Sequence, residues 1–220
     1  MPVRKIPKNY LFVTGGYSSQ KNKVMDSFES LLEKEYLMLL DFDDGVESFE
    51  VQPMRIPVTG VRNGYVPDVL VKYRTDPETG EIRRPLLAEV KHSDDLERNR
   101  DKYAKKFAAA HSYAEERDWQ FATVDQTQIR TPRLANLKFL REYRNIEPNE
   151  QDVKNVLKQA GKLSKLASVS SLSSALCKQD DDRLHWFPVI WHMVLTKQLV
   201  VDLDQLMNND TALQLPGARV

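Results

Sequence analysis

The stretch PDVLVKYRTDPETGEIRRPLLAEVK, residues 67–91, constrains this chain more than any other part of it. Two apolar runs, VPDVLVKY (66–73) and RPLLAEVK (84–91), flank TDPETGE, which has Pro and Gly where a hairpin turn wants them. With the turn centred near residues 78–79, positions whose numbers sum to about 157 face each other, so Asp68 lies opposite Glu89. Strand side chains alternate, which puts Glu89 and Lys91 on one face and Val90 on the other. Asp68, Glu89 and Lys91 are therefore expected to converge at one end of a hairpin, where a plain strand would carry no charge.

Two neighbouring carboxylates repel each other unless a cation lies between them. Oxygen ligands at this spacing suit Mg²⁺, which keeps several waters and accepts one or two carboxylates plus phosphate oxygens. Such a metal polarises a phosphoryl oxygen and acidifies a water. Lys91 is a compact cation able to hold the attacking water or offset the charge that develops on phosphorus. Together these groups describe phosphodiester hydrolysis. The plainer alternative is an aspartate at a strand start beside a surface Glu-x-Lys ladder.

The surrounding elements favour the first reading. DSFESLLEKEYLMLL (26–40) has helical spacing, with Asp26 or Ser27 as the cap. FEVQPMRIPV (49–58) reads as an edge or bulged strand because of its prolines. Residues 95–117 read as one long charged helix with Tyr103, Phe107, Ala110 and Ala114 on one stripe, followed by a strand over 119–124 and a helix over 134–143. The order α-β-β-β-α-β resembles the PD-(D/E)xK nuclease core, an α/β restriction-endonuclease-like arrangement with a mixed sheet. That core adds an acid from its first helix. Glu29, Glu33 and Glu35 are all available, and periodicity does not choose among them. Ser30-x-x-Glu33 also spells a capping box.

NIEPNEQD (145–152) is polar and holds a proline, which suggests a boundary between a catalytic domain, 1–147, and a C-terminal domain, 148–220. In the second, helices over 150–160, within 164–178 and over 187–199 precede a strand over 199–203, an order that suggests a winged-helix-like module.

The net charge is zero, yet the basic residues are clustered: residues 1–23 carry Arg4, Lys5, Lys8, Lys21 and Lys23 without an acid, and residues 154–178 carry five lysines without one. Such runs are either solvated faces or surfaces for phosphates. On the long helix Lys102, Lys105 and Lys106 are candidates for DNA contact; Lys72, Arg74, Arg83 and Arg84 lie toward the hairpin turn and away from the acids. Gly15-Gly16 lacks the Lys-Ser/Thr of a P-loop. His185 and His192 have no cysteine or second pair to complete a zinc site, and His92 reads as a strand-end residue. One cysteine, Cys177, excludes an internal disulfide and fits a reducing compartment. No apolar run approaches the ~18 residues of a membrane span, and no signal peptide is expected.

From TGGYSS (14–19) through FESLLEKEYLMLLDFD (28–43), QP (52–53), PD (67–68) and EVK (89–91), the chain resembles the TnsA family of transposon endonucleases. The resemblance runs over roughly residues 10–125 and more loosely to the end. It implies that the helix acid is Glu33, from the Ser-x-Leu-Glu context, and that Glu33, Asp68 and Glu89 bind metal while Lys91 completes the catalytic set. It further implies an endonuclease dependent on Mg²⁺, with Mn²⁺ as a substitute, cutting double-stranded DNA at the 5′ ends of a transposon. Its implied partners are a TnsB-like DDE transposase that cuts the 3′ ends and a TnsC-like AAA+ ATPase. The setting would be the bacterial cytoplasm, at the nucleoid, without a membrane. Two rivals remain: another PD-(D/E)xK nuclease acting in restriction, repair or junction resolution, and a catalytically silent adaptor between transposase and regulator.

Overall fold

The computed structural model describes residues 14–22, 25–177 and 183–217. The basic residues Arg4, Lys5, Lys8, Lys23 and Lys178 lie outside the described residues. The chain divides into two compact units, Met1–Arg130 and Thr131–Val220. Among the described residues no helix is long and apolar enough to cross a membrane.

The first unit is built on a four-stranded sheet of β3 (Val46–Val51), β6 (Val69–Tyr73), β7 (Leu86–Val90) and β8 (Gln120–Val124), in that spatial order. β3 and β7 each run antiparallel to β6, and β8 runs parallel to β7. A parallel neighbour requires a crossover connection, here carried by α2 (Ser93–Arg98) and α3 (Arg100–Glu115). The β6–β7 hairpin pairs Val69 with Ala88, Leu70 with Leu87 and Val71 with Leu86, each pair summing to 157 as the turn chemistry requires. Both strands are central in the sheet. Val69, Leu70, Val71, Leu87, Ala88 and Val90 are all buried.

Helix α1 (Leu31–Phe42) begins later than its apolar spacing suggests. Ser27 and Phe28 are taken up in β2 (Asp26–Phe28), which pairs with β1 (Gly15–Tyr17). The cap is Ser30, whose hydroxyl accepts from the Glu33 backbone N–H at 3.1 Å. The TGGYSS segment secures the far end of the same helix. Tyr17 Oη and Ser19 Oγ donate to the Asp41 carboxylate, and Lys21 Nζ donates to the carbonyls of Leu40, Asp43 and Val46. A lysine at this helix end meets carbonyls that the helix leaves unpaired.

The expected single strand over 49–58 is two strands in different sheets. β3 ends at Val51, and Gln52 takes a left-handed backbone, φ 47°. β4 (Ile56–Val58) then pairs with β5 (Val61–Tyr65), a hairpin that the sequence reading did not separate. Gly64 lies at φ 60°, and a Cβ there would stand 2.5 Å from the Ile56 carbonyl oxygen; Gly60, at φ 78°, has open space around it. Gly64→Ala should therefore destabilise by more than the ~1–2 kcal/mol of left-handed backbone cost, and Gly60→Ala by about that cost alone. Thermal melts of the two variants compare them directly, and equal Tm values would refute the steric account.

The long charged helix is also broken. Asn99, at φ −110° and ψ 21°, separates α2 from α3, and its amide donates to Asp95 Oδ1 at 2.8 Å. The apolar stripe holds: Phe107, Ala110 and Ala114 pack with Ile56, Tyr65, Leu70, Leu87 and Phe121. Alanines at the contact let the helix lie close on the sheet. After β8, a short helix α4 (Gln126–Ile129) is held by a capping box at Asp125.

The second unit is helical, comprising α5 (Pro132–Leu140), a 3₁₀ turn over 141–143, α6 (Glu150–Leu163), α7 (Val169–Leu176) and α8 (Arg183–Leu195). Leu140, Val156, Leu172, Ile190, Met193, Leu199 and Leu213 form its centre. α5 belongs to this compact unit although it precedes the polar stretch at 145–152. The reason is packing: Leu140 joins the C-terminal core, and the Asn136 amide donates to the carbonyls of Leu203 and Gln205. The strand expected over 199–203 does not form. Val200 pairs with Gln214 in an isolated antiparallel bridge, and the backbone beyond it is bonded instead by the Asn136 side chain, which also accepts from Met207 N–H.

Candidate active site

The hairpin register determines what meets at its end. Asp68 stands one residue before β6, and Glu89 lies within β7. Asp68 Oδ2 accepts from the Val90 N–H at 2.8 Å and from Lys91 Nζ at 3.0 Å. Lys91 Nζ also lies 3.1 Å from Glu89 Oε1 and donates to the Val90 carbonyl at 3.0 Å. The second Glu89 oxygen accepts from Tyr65 Oη at 2.6 Å. Lys91 itself is located by its N–H bond to the Val124 carbonyl, at the end of the parallel β7–β8 ladder.

Glu33 reaches this region from α1. It is 8% exposed, and its carboxylate accepts from the Glu29 N–H at 2.7 Å and the Ser30 hydroxyl at 3.0 Å. Ser30 caps the helix as its spelling suggests, but the reciprocal half of the capping box is displaced by one residue: Glu33 bonds the Glu29 N–H rather than the Ser30 N–H. Of the alternatives, Glu35 pairs with Arg130 at 2.8 Å, and Glu29 accepts from the Gln52 amide.

Burial, and then the charge of Asp68, push both Glu33 and Glu89 up to about pKa 7. Burial disfavours the Lys91 ammonium, but Asp68 and Glu89 outweigh it and hold its pKa above that of an ordinary lysine. Burial and Glu89 likewise keep the Tyr65 phenol protonated. Glu33 and Glu89 retain protons in the folded protein up to about pH 7, whereas the unfolded chain releases them near 4.5. The folded state binds more protons across that window. The stability linked to these protons is complete below the window and lost as pH rises through 7. A Glu33→Gln/Glu89→Gln double variant should show a flatter dependence of urea midpoint on pH between about 5 and 8 than the wild type. Parallel curves would refute the assignment of these two protons.

Asp68, Glu89 and Lys91 open on a cleft of about 1270 Å³, which Glu29 also lines; Glu33 lies behind this lining and is not part of it. Arg55, Arg62, Lys102, Lys106, Tyr103 and Gln52 also line it. Of the helix lysines singled out from sequence, Lys102 and Lys106 face the cleft, whereas Lys105 is not part of its lining. Lys72 pairs with Glu50, Arg84 with Asp118, and Arg83 lies 4.0 Å from the Tyr73 ring centroid; these and Arg74 are away from the cleft. His185 pairs with Asp152, and His192 Nδ1 lies 2.9 Å from the Tyr143 carbonyl oxygen. Sequence reasoning missed Arg55, Arg62, Tyr65 and Gln52. The signal for the first three was the Thr59-Gly60 turn between Val58 and Val61, followed by Asn63-Gly64.

Among the described residues no three acid, histidine or cysteine side chains form a ready metal cluster. The donor set nevertheless suits a hard cation. Asp68 Oδ2, Glu89 Oε1 and the Val90 carbonyl oxygen all surround one positive charge, the Lys91 ammonium, at 3.0–3.1 Å. Oxygen donors of this kind are those Mg²⁺ takes.

A mixed four-stranded sheet flanked by helices, with an Asp/Glu-x-Lys cluster at the end of its central hairpin, is a restriction-endonuclease-like core, and a helical region follows it. Comparison with protein-family models gives the particular family: residues 43–126 match the TnsA-like endonuclease N-terminal domain, and residues 128–203 match the TnsA endonuclease C-terminal domain. The chain belongs to the TnsA family of transposition endonucleases. A search of curated proteins finds no significant match.

Proposed function

We propose that this protein is a Mg²⁺-dependent DNA endonuclease, also served by Mn²⁺, that cuts the 5′ ends of a transposon during cut-and-paste transposition. The observation that carries the reading is the oxygen cradle of Asp68, Glu89 and the Val90 carbonyl around a single cation, at the edge of a cleft lined by arginines and lysines. Asp68 and Glu89 hold the metal, with Glu33 contributing from α1. When bound, Mg²⁺ supplies Lewis-acid polarisation of the phosphoryl oxygen and a more acidic water. Lys91, freed from the carboxylates, orients the attacking water and offsets negative charge on the phosphorane. Tyr65 keeps Glu89 in place through its hydrogen bond.

The proposed partners are those that the resemblance to the family implies. A TnsB-like transposase cuts the 3′ ends, and a TnsC-like AAA+ ATPase regulates the assembly. The C-terminal helical unit contacts these proteins, and the complex works at the bacterial nucleoid. Strand-resolved cleavage of DNA carrying the element's own ends, with both partners and Mg²⁺, tests the reading. The expected products are 5′-strand cuts that require this chain and vanish with EDTA. Transposition with 5′ cuts independent of this chain would leave it an adaptor.

Arg62 and Lys106 are assigned to phosphate contacts. In metal-free buffer, Arg62→Ala/Lys106→Ala should weaken DNA binding and reduce the salt slope, log K against log[salt], by about 2. An unchanged slope would place the DNA elsewhere.

A further inference from the structure

Gln52 presents a buried, unsatisfied acceptor in the lining of the same cleft. The residue is 5% exposed, and its Oε1 has no hydrogen-bond partner. Both of its nitrogens are committed. The backbone N–H donates to the Asp68 carbonyl at 2.8 Å, and Nε2 donates to Glu29 Oε1 at 2.9 Å. The bond to Glu29 determines which end of the amide is which, since a flipped amide would set oxygen against carboxylate. The backbone is left-handed at φ 47°, a conformation that disfavours a side chain. A strained residue that also buries an orphaned acceptor is unfavourable for the free protein on two separate counts, and such costs cluster at ligand sites.

The missing partner must be a hydrogen-bond donor small enough to enter from the cleft. The neighbouring acids select the ligand class. Mg²⁺ binds through few protein oxygens and keeps several of its waters, each a strong donor. We propose that Gln52 is an outer-sphere partner of a hydrated divalent cation held at Asp68 and Glu89: its Oε1 accepts a hydrogen bond from one of the retained waters, while Glu29 keeps the amide turned. Gln52 is thereby a positioning residue that acts through the cation, and Glu29 acts through Gln52. The inference rests on the metal-dependent nuclease reading above.

The test uses the full chain with two variants. Gln52→Met keeps length and flexibility but removes the acceptor, and the double variant Gln52→Glu/Glu29→Gln retains an acceptor oxygen and the bond between the two side chains with its direction reversed. Mn²⁺ affinity is followed by electron paramagnetic resonance titration, alongside Tm without metal and single-turnover cleavage. Gln52→Met should lose about 10-fold or more in Mn²⁺ affinity, with metal-free Tm unchanged or raised because an orphaned buried acceptor is gone. Gln52→Glu/Glu29→Gln should recover most of the affinity. Wild-type affinity in Gln52→Met, or a loss shared equally by both variants, would overturn the proposal while leaving the nuclease reading intact. Wild-type protein that takes up no Mn²⁺ and makes no metal-dependent cut would overturn both.

Discussion

Asp68→Asn is expected to abolish strand cleavage, by about a thousandfold or more, while the protein remains folded. The asparagine oxygen still accepts from the Val90 N–H that Asp68 Oδ2 now holds at 2.8 Å, so no buried donor is stranded. What disappears is the charge. A metal's contribution to phosphoryl transfer is several kcal/mol, and about 4 kcal/mol corresponds to a thousandfold in rate. Removing the charge also relieves Glu33 and Glu89, whose proton affinities Asp68 raises. Against this, Lys91 loses one of its two carboxylate partners and keeps Glu89, so metal-free stability should fall only modestly while activity is lost. Asp68→Ala, by contrast, should cost about 1–3 kcal/mol for the unsatisfied Val90 N–H. Denaturant titration beside single-turnover cleavage separates the effects. A folded Asp68→Asn protein that cuts at the wild-type rate would move the chemistry to other residues.

Lys91→Met should affect both activity and stability. Its ammonium joins three oxygens, and the Lys91, Asp68 and Glu89 side chains are 25%, 14% and 5% exposed. Removing one member of a buried ion pair typically costs about 3–5 kcal/mol because the remaining charges are uncompensated. Here Glu89 provides relief by taking a proton, so the loss should be large near pH 8 and markedly smaller near pH 6. Cleavage should fall by about 100- to 1000-fold, the usual effect of removing a group that stabilises transition-state charge. Lys91→Arg should not restore it, since a planar guanidinium does not replace a point charge between two carboxylates. Urea titrations at the two pH values check the first part. A stability loss independent of pH would show that Glu89 does not respond to Lys91.

Much of this architecture was legible locally. The β6–β7 register followed from the TDPETGE turn and the period-two alternation of the flanking runs, and that register brings Asp68, Glu89 and Lys91 into contact. The apolar stripe of Phe107, Ala110 and Ala114 was equally readable, because helix spacing alone sets it. Each of these features depends on residues close in sequence or on one turn that joins them.

Other features required contacts at long range. Residues 26–28 carry a helical pattern but pair with Gly15–Tyr17, so the helix waits for Ser30. Residues 199–203 have strand composition, yet Asn136, from another helix, takes their backbone groups. Gln52 sits beside Pro53 in a chain segment that reads as strand; only the convergence of Asp68 and Glu29 on it reveals a turned backbone and an unpaired oxygen. The hairpin, its register and the chemistry of the charged residues at its end are local properties, since periodicity and turn residues act over short distances. Tertiary structure alone decided which acids are buried enough to keep their protons near pH 7, which cations line the cleft, and which polar atoms lack partners, because burial and hydrogen-bond satisfaction are properties of neighbours that the chain brings together only when folded.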